Sequence, residues 1–276
     1  MNLVNGQASD TLSIHDRGLH YGDGVFETLA VEKGEALALE EHLVRLAAGA
    51  TALGFPDADL SAVFDEIDQI IGEDERSVLK IILTRGPGGR GYRRPDIETE
   101  PSRILTRHPW PEDYNSGLYK NGIRVRLCET RLGHNPKLAG IKHLNRLEQV
   151  LARSEWDDAD ILEGLMLDID GNVIEGCMSN IFLVSGRKLM TPALDQCGIH
   201  GVVRKLVLDA AAETGLDSHV TQVRLDDLTE ADEVFICNSV LGLCHVRQFQ
   251  KHAFNQSRYT EQIRNTLVQK RKIPSP

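Results

Sequence analysis

Tight turns punctuate this chain and set what it can become. Asn5-Gly6, Lys33-Gly34-Glu35 and Asp170-Gly171-Asn172 separate short apolar runs, the pattern that closes hairpins between strands. Strands are expected at Val25–Val31, Val78–Thr84 and Arg103–Thr106, then at Ile123–Leu127, Leu165–Ile169, Val173–Glu175, Ile181–Val184, Lys188–Met190, His219–Val223 and Val234–Cys237. Between them the apolar residues Leu43, Val44, Leu46, Ala47, Ala50 and Leu53 recur at helical spacing, and Gly54 before Phe55-Pro56 ends that helix. Further helices are expected at 60–71, 144–156, 202–214 and 260–270. A chain of 276 residues suits two modest domains at roughly 100–200 residues each. The polar stretch Pro111–Lys120 reads as a linker, which gives an N-terminal domain over 1–110 and a C-terminal domain over 121–276.

Charge narrows the partners. Against 31 basic residues stand 41 acidic ones, a net charge of −10, so binding driven by phosphate neutralisation over a broad basic face is disfavoured. A few convergent arginines can still hold a small anion. The five cysteines, 128, 177, 197, 237 and 244, are odd in number and contain no CxxC pair, which points to a reducing compartment rather than a disulfide framework. Met1–Asp10 carries no basic cluster and no apolar core, and no run approaches the roughly 18 residues of a membrane span. The expectation is a soluble, cytoplasmic protein with no membrane partner.

Most catalytic templates fail. The loop Gly86–Gly91 lacks the GK[ST] ending of a phosphate-binding loop, no GxSxG elbow occurs, and the ten histidines include no HExxH, so no metal site is expected. What remains makes chemical sense for a phosphorylated pyridine aldehyde. The aldehyde needs a lysine able to be neutral, because only the free amine attacks a carbonyl, and Lys142 follows the apolar stretch Leu138–Ile141. The ring nitrogen needs a carboxylate to stay protonated, and Glu175 closes an apolar strand before the small residues Gly176 and Cys177, which would let a flat ring approach. The phosphate needs amides at a helix start, which Gly201-Val202-Val203 offers, and a cation, which Arg45 offers. Position alone favours an exposed helix-start lysine and a strand-end surface glutamate, and suits a snorkelling or salt-bridged arginine equally well.

Taken together, Glu175-x-Cys177-x-x-Asn180-Ile181-Phe182, Leu189-x-Thr191-Pro192 and Ile199-x-Gly201-Val202-x-Arg204 resemble the signature of the fold type IV pyridoxal-phosphate enzymes. Within them the chain is most similar to the 4-amino-4-deoxychorismate lyases. That likeness rests on Asp16-Arg17-Gly18, on Tyr21 through Thr28, on Arg85-Gly86 through Gly91-Tyr92, and most sharply on Gly140 through Gln149. The resemblance implies a smaller N-terminal α/β domain, a larger C-terminal α/β (α+β) domain with a β-barrel-like core, and pyridoxal 5'-phosphate between them in a homodimer. It places the Schiff-base and proton-transfer lysine on Lys142, the ring-nitrogen carboxylate on Glu175, and the phosphate ligands on Arg45, Val202 and Val203. A phosphate hydroxyl of the related branched-chain aminotransferases falls on Ser239, where some relatives carry a small apolar residue.

The implied reaction converts 4-amino-4-deoxychorismate to 4-aminobenzoate and pyruvate, in folate synthesis. Its substrate carries two carboxylates, for which Arg90 and Arg93 on the glycine-rich loop are the candidates. Motifs for the cofactor also fit a D-amino-acid or branched-chain aminotransferase, and a cofactor- or metabolite-binding protein without turnover is the alternative from another class. The Lys142-His143-Leu144-Asn145-Arg146 segment favours the lyase.

Overall fold

Asn5 and Gly6 take φ angles of 50° and 76°, the two left-handed positions that a two-residue hairpin needs. They close β1 (Asn2–Val4) on β2 (Gln7–Ala8). The computed structural model describes residues 1–55, 60–72, 75–94 and 100–276, and by its contacts the chain divides into two units. One comprises Met1–Trp110 with Ile141–Asn145, the other Pro111–Gly140 with Arg146–Pro276.

In the first unit follow α1 (Arg17–Tyr21), β3 (Gly24–Glu32), β4 (Glu35–Ala36), α2 (Leu39–Ala52), α3 (Ser61–Ile70), β5 (Arg76–Thr84) and β6 (Ser102–Pro109). The six strands form one antiparallel sheet in the order β2-β1-β6-β5-β3-β4. Leu29 and Val31 of β3, Leu79 and Ile81 of β5 and Leu105 of β6 pack with Leu43, Leu46 and Ala50 of α2 and Val63, Ile67 and Ile70 of α3. Each fully buried aliphatic side chain of this kind contributes about 1.5–3 kcal/mol. A Cβ on Gly49 would lie 3.1 Å from Val25 Cγ1, so the glycine sets how closely α2 can lie on β3.

The second unit runs through α4 (Ser116–Asn121), β7 (Ile123–Leu127), α5 (Leu147–Arg153), β8 (Ile161–Leu167), β9 (Val173–Gly176), β10 (Asn180–Ser185) and β11 (Lys188–Pro192). It continues with α6 (Val202–Ala211), β12 (Asp217–Thr221), α7 (Leu225–Glu230), β13 (Glu233–Asn238), β14 (Gly242–Phe249), β15 (His252–Ala253) and α8 (Arg258–Gln269). Its nine-stranded mixed sheet runs β12-β11-β10-β13-β14-β7-β8-β9, with β15 on β14. The sheet curls until β9, at the end of this path, packs beside β10 and β11, a half-barrel filled by Ile181, Leu183, Val234, Ile236, Cys244 and Val246. Among the described residues no helix is long and apolar enough to cross a membrane.

Two expectations change, and one strand had none. The stretch 111–120, read as linker, carries the start of α4 and buries Tyr119, whose hydroxyl donates to the Leu241 carbonyl at 2.8 Å. The helix expected over 144–156 spans only Leu147–Arg153, because Ile141–Asn145 instead runs along β3. Strand β14 carried no sequence signal: its buried residues Leu243, Cys244, His245 and Val246 mix apolar and polar types on a strand flanked by neighbours on both sides.

Candidate functional site

In the first unit Lys142 extends along β3 rather than opening a helix. The Phe26 N–H donates to the Lys142 carbonyl at 3.0 Å, the Leu144 N–H to the Gly24 carbonyl at 3.0 Å, and His143 bridges Val25. These bonds fix the lysine's backbone while its Nζ lies over the Phe26 ring, 4.3 Å from the centroid. Beside Phe26, Glu27 points the opposite way from the same strand and is wholly buried. It accepts from His42 Nδ1 at 2.6 Å and from Arg45 Nε at 2.7 Å and Nη2 at 2.5 Å, both residues on α2. A carboxylate can only accept, so His42 carries its proton on Nδ1.

Burial opposes the charge on Glu27, yet the charge and hydrogen bonds of Arg45, with those of His42, outweigh it and hold the carboxyl down to about 2. His42 is also shifted downward, chiefly by burial, with Glu27 opposing and the charges of Arg45 and Lys142 adding to the shift. Lys142 and Arg45 thus act on one buried His-Glu pair. Both shifts give stability the same sign. Glu27's contribution, about 3 kcal/mol, is full above its ordinary value near 4.5 and is lost as pH falls through 2. His42 stays neutral in the fold while the unfolded chain takes up a proton below about 6.5, which also favours unfolding in acid. Glu27→Gln should lower the melting temperature at pH 7 and flatten its decline between pH 4.5 and 3. Melting curves that stay parallel to the wild type's across that range would contradict this assignment.

The candidate substrate arginines lie on the loop after β5. Arg90 and Arg93 are exposed, and the loop's backbone is tied down by α1: Arg17 Nη1 donates to the Gly91 carbonyl at 3.0 Å and Nη2 to that of Tyr92 at 3.3 Å, while Tyr21 Oη accepts from the Gly91 N–H at 3.0 Å. Arg17 is held in turn by Asp23, which also takes Arg85 through Nε at 2.8 Å. The Asp16-Arg17-Gly18 and Tyr21–Asp23 motifs are therefore a scaffold for this loop, with Asp16 buried and accepting from Gly18 N–H, Thr84 and Ser102.

In the second unit Glu175, 3% exposed, is the penultimate residue of β9, with Oε2 accepting from the Ile199 N–H at 2.8 Å and from Asn180 Nδ2 at 3.4 Å. Asn180 Nδ2 also donates to the Ile199 carbonyl at 2.9 Å, which ties Glu175 to the loop that enters α6. That helix opens on Gly201 with no side-chain cap, and Val202 and Val203 form its first turn. Arg204 is no ligand candidate: it is buried, with Nη2 on the Pro192 carbonyl at 2.9 Å and Nε on Thr191 Oγ1 at 3.3 Å, so the Thr191-Pro192 and Arg204 motif positions lock β11 to α6. Ser239 is half-buried in the turn between β13 and β14, where Asn238 Oδ1 accepts from the Val240 and Leu241 N–H groups. Sequence reading did not assign the pairing of Glu27 with His42 and Arg45 or the role of Asn180. Arg146 is also new: burial lowers its pKa against the charges of Glu175 and Glu148.

Two expectations meet the structure differently. Small size at Gly176 serves protein packing: a Cβ there would stand 2.3 Å from Ser179 Oγ and 2.8 Å from Glu163 Cδ. Where no metal site was expected, His134, Asp168 and Asp170 bring ligand atoms within 4.8 Å of one another, but Asp168 is occupied as a turn organiser. Its oxygens accept from the Asp170 and Asn172 N–H groups, the Asn172 amide and His134. All five cysteines are buried and free.

The family model described as amino-transferase class IV matches residues 24–249. An aminodeoxychorismate lyase from Vibrio harveyi is 38% identical over 246 residues, covering 89% of this chain and 90% of that protein. A putative branched-chain-amino-acid aminotransferase from Methanocaldococcus jannaschii is 31% identical, covering 94% of this chain and 91% of that protein. Among solved structures, 4-amino-4-deoxychorismate lyase from Pseudomonas aeruginosa superposes with a TM-score of 0.93 at 42% identity, covering 99% of this chain and all of that one. The branched-chain amino acid aminotransferase of Escherichia coli superposes at 0.86 with 21% identity, covering 99% of this chain and 96% of that one, a likeness of fold. The mixed α/β fold expected from sequence is the one these neighbours share. The chain belongs to the class IV aminotransferase family.

Proposed function

We propose that this protein is an aminodeoxychorismate lyase that converts 4-amino-4-deoxychorismate to 4-aminobenzoate and pyruvate with pyridoxal phosphate. The observation that carries the reading is the 42% identity and 0.93 TM-score to the Pseudomonas aeruginosa lyase over essentially the whole chain. The residues present fit the cofactor. Glu175 is a buried carboxylate oriented by two donors and suits a protonated ring nitrogen, while the uncapped start of α6 suits a phosphate. Bound pyridoxal phosphate supplies an electron sink for the pair released when a substrate C–H bond breaks.

This chain's own residues do the rest. Lys142 holds the cofactor, then as a free amine takes the proton from the amine-bearing ring carbon and returns one as pyruvate leaves. Glu175 holds the proton on the ring nitrogen. Val202 and Val203 bind phosphate through their amides, Arg45 through a guanidinium whose plane Glu27 fixes, and Ser239 adds a hydroxyl. Arg90 and Arg93 take the substrate carboxylates from the loop that Arg17 ties down. Loss of the enolpyruvyl group leaves an aromatic ring, which makes the step downhill. Five buried thiols suit a reducing, cytoplasmic setting.

The deciding experiment supplies the purified protein with pyridoxal phosphate, chorismate, an ammonia source and an aminodeoxychorismate synthase, and reads 4-aminobenzoate by fluorescence. Product is expected. No product, together with conversion of the cofactor to pyridoxamine phosphate by an amino donor, would instead make the protein an aminotransferase.

The working assembly is a homodimer. On α5 the side chains of Leu147, Val150 and Leu151, at i, i+3 and i+4, are 76%, 56% and 61% exposed, an apolar stripe of the kind that marks an interface. The double change Val150→Glu and Leu151→Glu should halve the mass seen in sedimentation, and an unchanged mass would remove α5 from the interface.

A further inference from the structure

Glu163 is a buried carboxyl on β8 that belongs to no signature motif. Its side chain passes beneath the turn that joins β9 to β10. Oε1 accepts from the Gly164 N–H at 2.9 Å and the Cys177 N–H at 3.1 Å, and Oε2 accepts from the Met178 N–H at 3.1 Å and the Ser179 hydroxyl at 2.8 Å. Among the described residues it makes no ion pair. Burial pushes its pKa upward against these four hydrogen bonds, and the three N–H contacts hold in either protonation state. A carboxyl buried without a cation is costly, so its place calls for a reason beyond packing.

The reason lies in what the turn carries. Glu175 and Asn180 are its two arms, and their side chains meet at Glu175 Oε2. Between them the Gly176 N–H donates to the Ser179 carbonyl at 2.7 Å, and Glu163 gathers the donors of residues 177, 178 and 179 into one point. The glycine at 176 is what admits it, since a Cβ there would collide with Glu163 Cδ and Ser179 Oγ. We propose that Glu163 is the positioning residue of Glu175, fixing the turn that aims the Glu175 carboxylate at the pyridine nitrogen. This rests on the role given to Glu175 above.

An amide offers one acceptor where the carboxyl offers two. In Glu163→Gln, one end of the group must turn an NH2 toward N–H or hydroxyl donors, and the turn loosens. Three variants of the holoenzyme test this. Glu163→Gln should lower kcat by about 10- to 100-fold with KM within about threefold. It should also move the pH midpoint of the bound cofactor's visible absorption in the direction that Glu175→Gln moves it. Ser179→Ala, which removes one donor and leaves the carboxyl, should do the same more weakly, and it decides the matter if Glu163→Gln does not fold. Loss of melting temperature in both, with kcat and midpoint within twofold and about 0.2 pH of the wild type, would make Glu163 a packing residue only. If Glu175→Gln itself leaves kcat and midpoint unchanged, the role of Glu175 fails and this inference falls with it. An effect of Glu175→Gln without one of Glu163→Gln overturns the inference alone.

Discussion

Lys142→Ala should abolish turnover while leaving the fold intact. Lys142 is only partly buried, and its Nζ lies over the Phe26 ring, a contact worth about 0.5–2 kcal/mol. Its backbone bond from Phe26 does not depend on the side chain. Stability should therefore change little, and the loss should appear in chemistry. In the proposed reaction the amine has two tasks, nucleophile toward the cofactor and carrier of the substrate proton, and general acid-base work alone commonly contributes 10²–10⁴-fold. A fall in kcat of about 10⁴-fold or more is expected. The cofactor should also wash out on gel filtration, with loss of its lysine-linked visible absorption. Added small primary amines should recover part of the rate, which a lysine with a structural role would not show. A variant keeping more than about a tenth of wild-type turnover would remove Lys142 from the mechanism.

Much of the frame around this lysine is legible in sequence because its signals are local. Asn5-Gly6 and Lys33-Gly34 take left-handed conformations at both turn positions, and the strand expected at Val25–Val31 falls within β3. The helix at Val202 begins after Gly201 as its motif indicates. The region of Lys142 misleads for a physical reason. Leu144, Leu147, Val150 and Leu151 have the spacing of a core-facing helix, yet the last three stay exposed and Leu144 leaves the helix to bond Gly24. Periodicity reports that a face is apolar, and it does not report what covers it.

The supporting residues were hidden for a different reason. Glu27 precedes its partners His42 and Arg45 by 15 and 18 residues, and Glu163 meets the turn at Cys177–Ser179 from another strand. An isolated glutamate in an apolar strand reads as an edge residue until the donors around it are seen. The motif positions that sequence did single out divide in the structure into two kinds. Asp16, Arg17, Thr191 and Arg204 hold backbone in place, whereas Lys142 and Glu175 carry groups suited to chemistry. A signature alone does not separate these kinds.

Glu175→Gln should lower kcat by about 10²–10³-fold with little change in KM. The side chain is nearly isosteric, and its amide oxygen can still accept from the Ile199 N–H, so the loop entering α6 should hold. The Asn180 amide is worse served, since it can then face a second NH2, and its remaining bond to the Ile199 carbonyl must carry the contact. What the change removes is charge. A carboxylate favours a proton on the ring nitrogen and a neutral amide does not, so the electron sink weakens where the substrate C–H bond breaks. Arg146, already lowered by burial, also loses the opposing charge of Glu175, and its pKa should fall further. Because substrate binding does not depend on the ring proton, the effect should fall on kcat and track the protonation of the bound cofactor. A variant in which KM rises and kcat stays within twofold of wild type would make Glu175 a binding residue and move the ring-nitrogen role elsewhere.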